Sequence, residues 1–237
     1  DSEISKFIPS NINKTLYNAA KYTFSSGGKR LRSNLCLVVC ETLGGDIKKA
    51  LPFAAAIEIV HNASLIHDDV EDEDKIRRNM QTVWEKYGIP QAINTGLYLI
   101  FKSYECLLNS RKSLNEADVL KLNNMFTDSL VSLVEGQSME WDFKYRDDVS
   151  IGEYVDMAQK KTGALICLSL TSGAFIAGES DVLQNHLMKY GKSIGVAFQI
   201  TDDLLNLFGS TNEYGKEVGS DIKEGKRSIL VVYCLSK

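Results

Sequence analysis

Residues 54–78 read AAAIEIVHNASLIHDDVEDEDKIRR, an apolar run that ends in six acidic side chains between 68 and 74, followed by Lys75 and the pair Arg77-Arg78. No Gly or Pro interrupts positions 54–74, and apolar residues fall on most sides of a 3.6-residue repeat. The stretch therefore predicts a helix buried on several sides. Asp68 and Asp72 lie four apart and share a face, with Asp69 beside them. So many carboxylates on one stretch repel each other, and the bland outcome is a solvated face or an acidic tail. A calcium loop is excluded. Such a loop needs Gly at its sixth position, and starting it at Asp68, Asp69 or Asp72 puts Glu73, Asp74 or Arg77 there. Acids that line a cleft are stable only with positive charge between them. A hard divalent cation with oxygen ligands supplies it, and Mg²⁺ keeps positions open for phosphate oxygens. Arg77 and Arg78 at the helix end suit bidentate phosphate contacts. Acid and arginine together point to a metal-bound phosphate.

Working outward, only three prolines occur, at 9, 52 and 90. With so few breakers and recurrent three-to-four-residue apolar spacing, the chain predicts helices over roughly 12–25, 30–44, 50–74, 90–109, 115–140, 151–177, 181–208 and 225–237. Turn-like segments separate them: SSGG, LGGD, the residues around YGIP, NSRKS, RDDVS, AGES and GSTNEYG. No linker, repeat or low-complexity tract divides the 237 residues, so the expected architecture is one all-α domain over 1–237. Hydrophobic residues make up 44% and charged residues 24%, and the net charge is −4. That balance describes an ordinary soluble globular protein and offers no electrostatic case for nucleic acid or an anionic membrane. No apolar stretch approaches a membrane span, and the opening DSEISKFIPS lacks signal-peptide character. The expected location is cytoplasmic. Five cysteines, at 36, 40, 106, 167 and 234, are scattered and odd in number, which reads as buried thiols in a reducing compartment.

A second acid face appears in AFQITDDLLNLFG, residues 197–209. Gln199, Asp202, Asp203 and Asn206 follow i, i+3, i+4, i+7 spacing and share one side of a helix. In isolation this is more often a polar helix end. Two such faces on facing helices are, however, how bundles build metal sites.

At this point the chain resembles the all-trans polyprenyl diphosphate synthases, the trans-prenyltransferases. The matching pieces are GGKRLR from Gly27, HNASLIHDDVED from His61, the pair Arg77-Arg78, EGQ at 135–137, KKTG at 160–163, FQITDD from Phe198 and GKEVGSDIKEGK from Gly215. They stand in the family's order and spacing over most of the chain, a far more specific signal than any single DDxxD.

The resemblance implies an isoprenoid-synthase bundle of long helices around a deep cavity, usually a homodimer, with the two acidic helices facing each other at its mouth. It implies three Mg²⁺ ions per site. Asp68 and Asp72 would bind metal with Asp69 in support, Asp202 would bind a further ion, and Asp203 would order its surroundings. Arg77, Lys161, Lys216 and Lys226 would hold the diphosphate of an allylic substrate (dimethylallyl, geranyl or farnesyl), with Gln199 and Thr162 beside the reacting carbon. Lys29, Arg32, His61 and Arg78 would hold isopentenyl diphosphate. The implied reaction is Mg²⁺-dependent head-to-tail condensation. In the family, bulky aromatic residues four and five positions before the first acid stop growth early. Here those are Ser64 and Ala63, both small, so the expected product is geranylgeranyl diphosphate, with the cavity floor at Ile57, Tyr98 or Phe101.

Bland readings stand beside these. His67 reads as structural, His186 as a surface residue, and Trp84, Tyr98, Phe101 and Trp141 as core. Lys29, Arg30 and Arg32 could simply begin a solvated helix, yet positive charge at a helix N-terminus opposes the macrodipole, so an anion there is a reasonable partner. The chain departs from the family at Asn206 (often Asp), at Asn79, Gln81 and Trp84, and in GKRSILVV, which lacks a common Pro. It stops at Lys237, soon after Lys226, where members usually continue, so the C-terminal helices of a longer protein are expected beyond it. Two alternatives remain. A class I terpene cyclase has no use for the GGKRLR and His61 pocket, and a non-catalytic partner subunit would have lost acids or basic residues that are retained here.

Overall fold

The computed structural model describes residues 2–209 and 218–237. These form two compact units: residues 1–124 with 172–180, and residues 125–171 with 181–237. Apart from one two-stranded hairpin, the regular structure of the described residues is helical, as the apolar spacing predicts.

The first unit contains α1 (Ser2–Ser5), α2 (Lys14–Ser25), α3 (Leu31–Thr42), α4 (Ile47–Glu71), the hairpin strands β1 (Ile76–Arg77) and β2 (Met80–Gln81), α5 (Val83–Tyr87), α6 (Ile89–Leu108) and the start of α7 (Glu116–Phe143). Helix starts follow local chemistry. The Asn13 side chain accepts from the Thr15 and Leu16 amides at 3.0 and 3.1 Å and so caps α2. Asp46 accepts from the Lys48 amide at 2.9 Å and starts α4 three residues before the position expected from periodicity. Each cap satisfies amides that have no partner within the helix. α4 is buried almost all round: Phe53, Ala54, Ala56, Ile57, Ile59, Val60, Ala63 and Ile66 are each at most 3% exposed. It packs most extensively on α6, and α3 covers another side.

The second unit holds the rest of α7, then α8 (Ile151–Ala158), a π-turn (Gln159–Gly163), most of α9 (Ala164–Ile176), α10 (Asp181–Phe208), α11 (Ser220–Lys223) and α12 (Ile229–Leu235). Ser150 and Glu153 form a reciprocal capping box at the start of α8. Phe143, Val149, Tyr154, Met157, Ala158 and Val232 make a buried core, with Val196 and Ile200 of α10 packed against it.

The structure corrects several expectations. The single helix over 151–177 is interrupted by the π-turn, because two glycines admit neighbouring backbones there, as described below. Residues 76–87 form a hairpin and a short helix where no element was expected. Arg78 and Asn79, at φ 53° and 61°, are its two turn residues. With Ile76 opposite Gln81 and Arg77 opposite Met80, this is a two-residue turn with the left-handed geometry that matches strand twist. Phe101 is 70% and Trp141 40% exposed, so neither is core in this chain, and Phe101 cannot be a cavity floor within it. Cys234 is exposed, while the other four thiols are buried. Burial pushes Cys36 and Cys106 up to about 12, which leaves them chemically inert. His186 is exposed, as expected.

Candidate active site

In the first unit the expected residues gather around the end of α4. Asp68 is on its last turn and Asp72 caps it, with the Asp72 amide donating to the Asp68 carbonyl at 2.9 Å. The hairpin brings Arg77 back over them. Its Nη2 reaches Asp68 Oδ2 at 2.9 Å and Asp74 Oδ2 at 3.5 Å, and its Nε donates to Asp69 Oδ1. Burial works against the Arg77 charge, but Asp69, Asp68 and Asp74 together outweigh it and hold the guanidinium more firmly protonated. The next residue points elsewhere. Arg78 donates to the Gly27 carbonyl at 2.6 Å, inside the GGKRLR segment. Gly28, at φ 123°, lies so close that an added Cβ would stand 2.7 Å from Arg78 Nη1. The backbone conformation demands glycine there.

Arg32, on the first turn of α3, donates to His61 Nε2 on α4 at 3.1 Å. Burial, followed by the charges of Arg32, Arg78 and Arg77, pushes the His61 pKa well below the ordinary imidazole range. The ring is therefore neutral at pH 7. Because a guanidinium only donates, Nε2 must be the acceptor and the ring proton sits on Nδ1. Arg32 and His61 thus stand together, and Lys29 lies exposed in the loop before α3. Arg30 differs from the expectation that it joins this anion cluster. Its Nη1 pairs with Glu58 Oε1 at 3.2 Å, and Glu58 is 2% exposed. Glu58 also accepts from Ser33 Oγ and Asn62 Nδ2, so this is a satisfied structural pair that ties α3 to α4. His67 is structural, as expected: its ring lies against Gly96 of α6, with Nε2 3.4 Å from the Ile93 carbonyl.

In the second unit the π-turn presents Lys161 and Thr162. A widened turn of this kind needs room on its flanks, and two glycines provide it. A Cβ on Gly136 would stand 2.2 Å from the Lys161 amide nitrogen, and one on Gly195 would stand 2.4 Å from Gly163 Cα. Lys161 Nζ pairs with Glu140 of α7. Thr162 Oγ1 donates to Gln199 Oε1 at 2.6 Å, and Gln199 Nε2 donates to Asp203 Oδ1 at 3.1 Å. Asp203 Oδ2 accepts from Tyr154 Oη at 2.7 Å and from the Ile229 amide at 2.8 Å. Burial raises the Asp203 carboxyl, against the lowering effect of the Tyr154, Ile229 and Gln199 hydrogen bonds. Asp202, one position earlier on α10, is half-buried. Lys226 lies 3.1 Å from Glu224 and 3.8 Å from Asp221, and burial pushes the Asp221 carboxyl up to about 7 against the pull of Lys226. Asn206, the departure from the family's third acid, is 1% exposed. Its Nδ2 donates to Ser220 Oγ at 2.9 Å and its Oδ1 accepts from the Asp221 amide at 3.3 Å, so it ties α10 to α11. Lys216 lies outside the described residues.

Sequence reading missed Glu58, Glu140 and Tyr154. Glu140 stands three residues after the EGQ match, and no local pattern announces its partner 21 positions on. Among the described residues no three His, Cys, Asp or Glu side chains converge into a metal cage. The donor set nevertheless suits Mg²⁺. That ion is held by one or two carboxylates and completes its shell with water and phosphate oxygens, and Asp68 with Asp72 offers such a pair one turn apart.

The comparisons with known proteins agree with this chemistry. Residues 13–237 match the family described as polyprenyl synthetase. The geranylgeranyl diphosphate synthase of Sulfolobus acidocaldarius is 40% identical over 232 residues, covering 98% of this chain and 70% of that protein. The geranylgeranyl pyrophosphate synthetase of Pyrococcus horikoshii superposes with a TM-score of 0.92 at 34% identity, over all of this chain and 72% of the other. A polyprenyl synthase of Caulobacter crescentus, solved in complex with calcium and isoprenyl diphosphate, superposes with a TM-score of 0.90 at 26% identity, over 99% of this chain and 69% of that one.

Proposed function

This chain belongs to the polyprenyl synthetase family, and from that premise we propose that it condenses isopentenyl diphosphate with an allylic diphosphate to yield geranylgeranyl diphosphate. The observation that carries the reading is the end of α4, where Asp68 and Asp72 stand one turn apart with the Arg77 guanidinium folded onto the first of them. A diphosphate with its divalent ions is the ligand whose charges match both signs.

Ionising the allylic carbon–oxygen bond leaves an extra negative charge on the departing diphosphate. Arg77, Lys161 and Lys226 are the side chains proposed to stabilise that charge, an electrostatic task in which a single well-placed donor typically contributes about 10²–10³-fold. Asp68 and Asp72 with Asp69 in support, and Asp202 beside Asp203, would hold Mg²⁺, which when bound would supply Lewis-acid charge to the diphosphate; three ions is the proposed complement. Thr162 and Gln199 turn oxygen atoms toward the electron-poor carbon. The isopentenyl double bond attacks that carbon, a new carbon–carbon bond forms, and a proton passes to the departed diphosphate, so no separate base is needed. Lys29, Arg32, neutral His61 and Arg78 are proposed to hold isopentenyl diphosphate, with Lys216 assigned to the allylic side by sequence alone.

The twenty-carbon product is supported by the small residues Ala63 and Ser64 before Asp68. Ala63 is fully buried and the Ser64 hydroxyl is spent on the His61 carbonyl at 2.8 Å, so neither projects a bulky barrier. The expected homodimer is supported by a ridge on α6, where Ile89, Ile93, Leu97 and Phe101 recur every four residues at 42–70% exposure. No described helix is long and apolar enough to cross a membrane, and a cytoplasmic location is part of the proposal. The test is incubation with Mg²⁺, farnesyl diphosphate and labelled isopentenyl diphosphate, followed by chromatography of the dephosphorylated products. The expected product has twenty carbons, and Ser64→Phe should shorten it. A cyclic hydrocarbon, or no product at all, overturns the reading.

A further inference from the structure

We propose that Tyr154 is a positioning residue that sets the polarity of the Thr162–Gln199 pair through Asp203. The inference rests on the function proposed above and adds to it a residue that the resemblance does not assign.

Tyr154 is 1% and Asp203 5% exposed. The side chain of α8 and the first amide of α12 both donate to Asp203 Oδ2, at 2.7 and 2.8 Å. An ionised carboxylate only accepts hydrogen bonds. Asp203 Oδ1 therefore compels Gln199 to turn its amide nitrogen inward, at 3.1 Å. That leaves Gln199 Oε1 facing Thr162, and an amide oxygen also only accepts, so the Thr162 hydroxyl proton is spent on it at 2.6 Å. Every donor in the chain thus points toward Asp203. What remains unspent on Thr162 Oγ1 is lone pairs, and Gln199 Oε1 keeps one more. Such a lining favours an electron-poor carbon and lacks a hydroxyl hydrogen that would repel it. With one oxygen of Asp203 carrying two donors and the other carrying one, the carboxylate cannot rotate without losing a bond. Removing the Tyr154 hydroxyl releases that lock while leaving the ring in the core.

Steady-state kinetics on purified enzyme test this. Tyr154→Phe should lower kcat about tenfold, within the range for a loosened catalytic group, with both KM values within about twofold. In a Gln199→Ala background the same substitution should have no further effect, because the group it acts through is gone. A merely structural Tyr154 would instead lower the melting temperature, leave kcat of the folded enzyme unchanged, and act additively with Gln199→Ala. Asp203→Asn provides a second route should Tyr154→Phe fold poorly. Its oxygen can keep Tyr154 and Ile229 while its amide nitrogen forces Gln199 to reverse, so kcat should fall even at saturating Mg²⁺. Unchanged kcat in Asp203→Asn, or multiplying effects in the double variant, overturns the inference while the function stands. A wild-type enzyme that forms no prenyl product overturns the function and takes this inference with it.

Discussion

Gly136→Ala tests how the backbone of α7 shapes the site. An alanine Cβ there would sit 2.2 Å from the Lys161 nitrogen and 2.8 Å from the Lys160 carbonyl carbon. Both are backbone atoms, so no side-chain rotation relieves the clash. One backbone must retreat by about 1.2 Å to restore an ordinary 3.4 Å contact. Forcing a methyl group into a packed position typically costs about 1–3 kcal/mol. For a chain of this size that corresponds to a melting temperature lower by roughly 3–10 °C. The displaced atoms belong to the π-turn that carries Lys161 and Thr162, and a misplacement of about 1 Å at a catalytic group lowers turnover by roughly 10²-fold. Differential scanning fluorimetry and initial rates together read both effects. The expected variant is folded at 25 °C, melts earlier and turns over about 10²-fold more slowly, with the KM for isopentenyl diphosphate little changed. Near-normal kcat with the lowered melting temperature would show that the π-turn does not position the chemistry. Near-normal values of both would show that the close approach is not there.

Three further outcomes are expected. Gly96→Ala would place a Cβ 2.1 Å from His67 Nε2, so thermal melting should fall by several degrees, and recover in Gly96→Ala/His67→Ala, where the ring is absent. Lys29→Ala and Arg32→Ala should raise the KM for isopentenyl diphosphate more than that for the allylic substrate, whereas Lys161→Ala should show the reverse preference or a lower kcat; a swapped pattern would mean that the two pockets are exchanged. Asp221 has its folded pKa raised, by burial, from the usual carboxylate range near 3.9 to about 7. The folded chain then binds the proton more tightly than the unfolded one, so this group's contribution to stability is fully present below about pH 4 and is lost as pH rises through 7. Melting temperature measured from pH 5 to 8 should therefore fall less steeply in Asp221→Asn than in the wild type, and parallel curves would refute the assignment.

What was legible in the sequence follows from what each signal depends on. The helices of the long apolar runs were legible because burial repeats every three or four residues, and α4 shows it on nearly every side. Asp68, Asp72 and Arg77 were legible as a group because they lie within ten positions of one another. Pairs that form across the fold were not. Arg30 with Glu58, Lys161 with Glu140, and Tyr154 with Asp203 are separated by 28, 21 and 49 positions. A buried charge announces that it needs a partner without saying which one. The π-turn was hidden for a related reason: KKTG reads as ordinary helix, and what opens it is the absence of side chains at Gly136 and Gly195 on other helices. The hairpin at 76–81 escaped because strands of two residues carry no alternation and its turn residues are Arg and Asn instead of Asn-Gly.

The crowded acids of α4 can now be explained without the metal. Asp68, Asp69 and Asp74 all converge on one guanidinium, so the protein neutralises part of the run from its own next turn. Lys161 with Glu140, and Lys226 with Glu224, repeat that arrangement in the second unit. Each described cation proposed for the allylic diphosphate, Arg77, Lys161 and Lys226, is thus half-buried beside a carboxylate, which holds its long side chain in place before any ligand arrives. Such pairs are partly shielded from water, and each carboxylate that loses its cation to a phosphate is left short of positive charge. On the proposed reading, a divalent ion held by Asp68 and Asp72 would restore that balance, with Asp69 in support. Diphosphate and metal should then bind with positive coupling, each repairing the charge that the other disturbs. That coupling is reciprocal by thermodynamic necessity, so the apparent affinity for Mg²⁺ must rise with allylic diphosphate by the same factor as the converse.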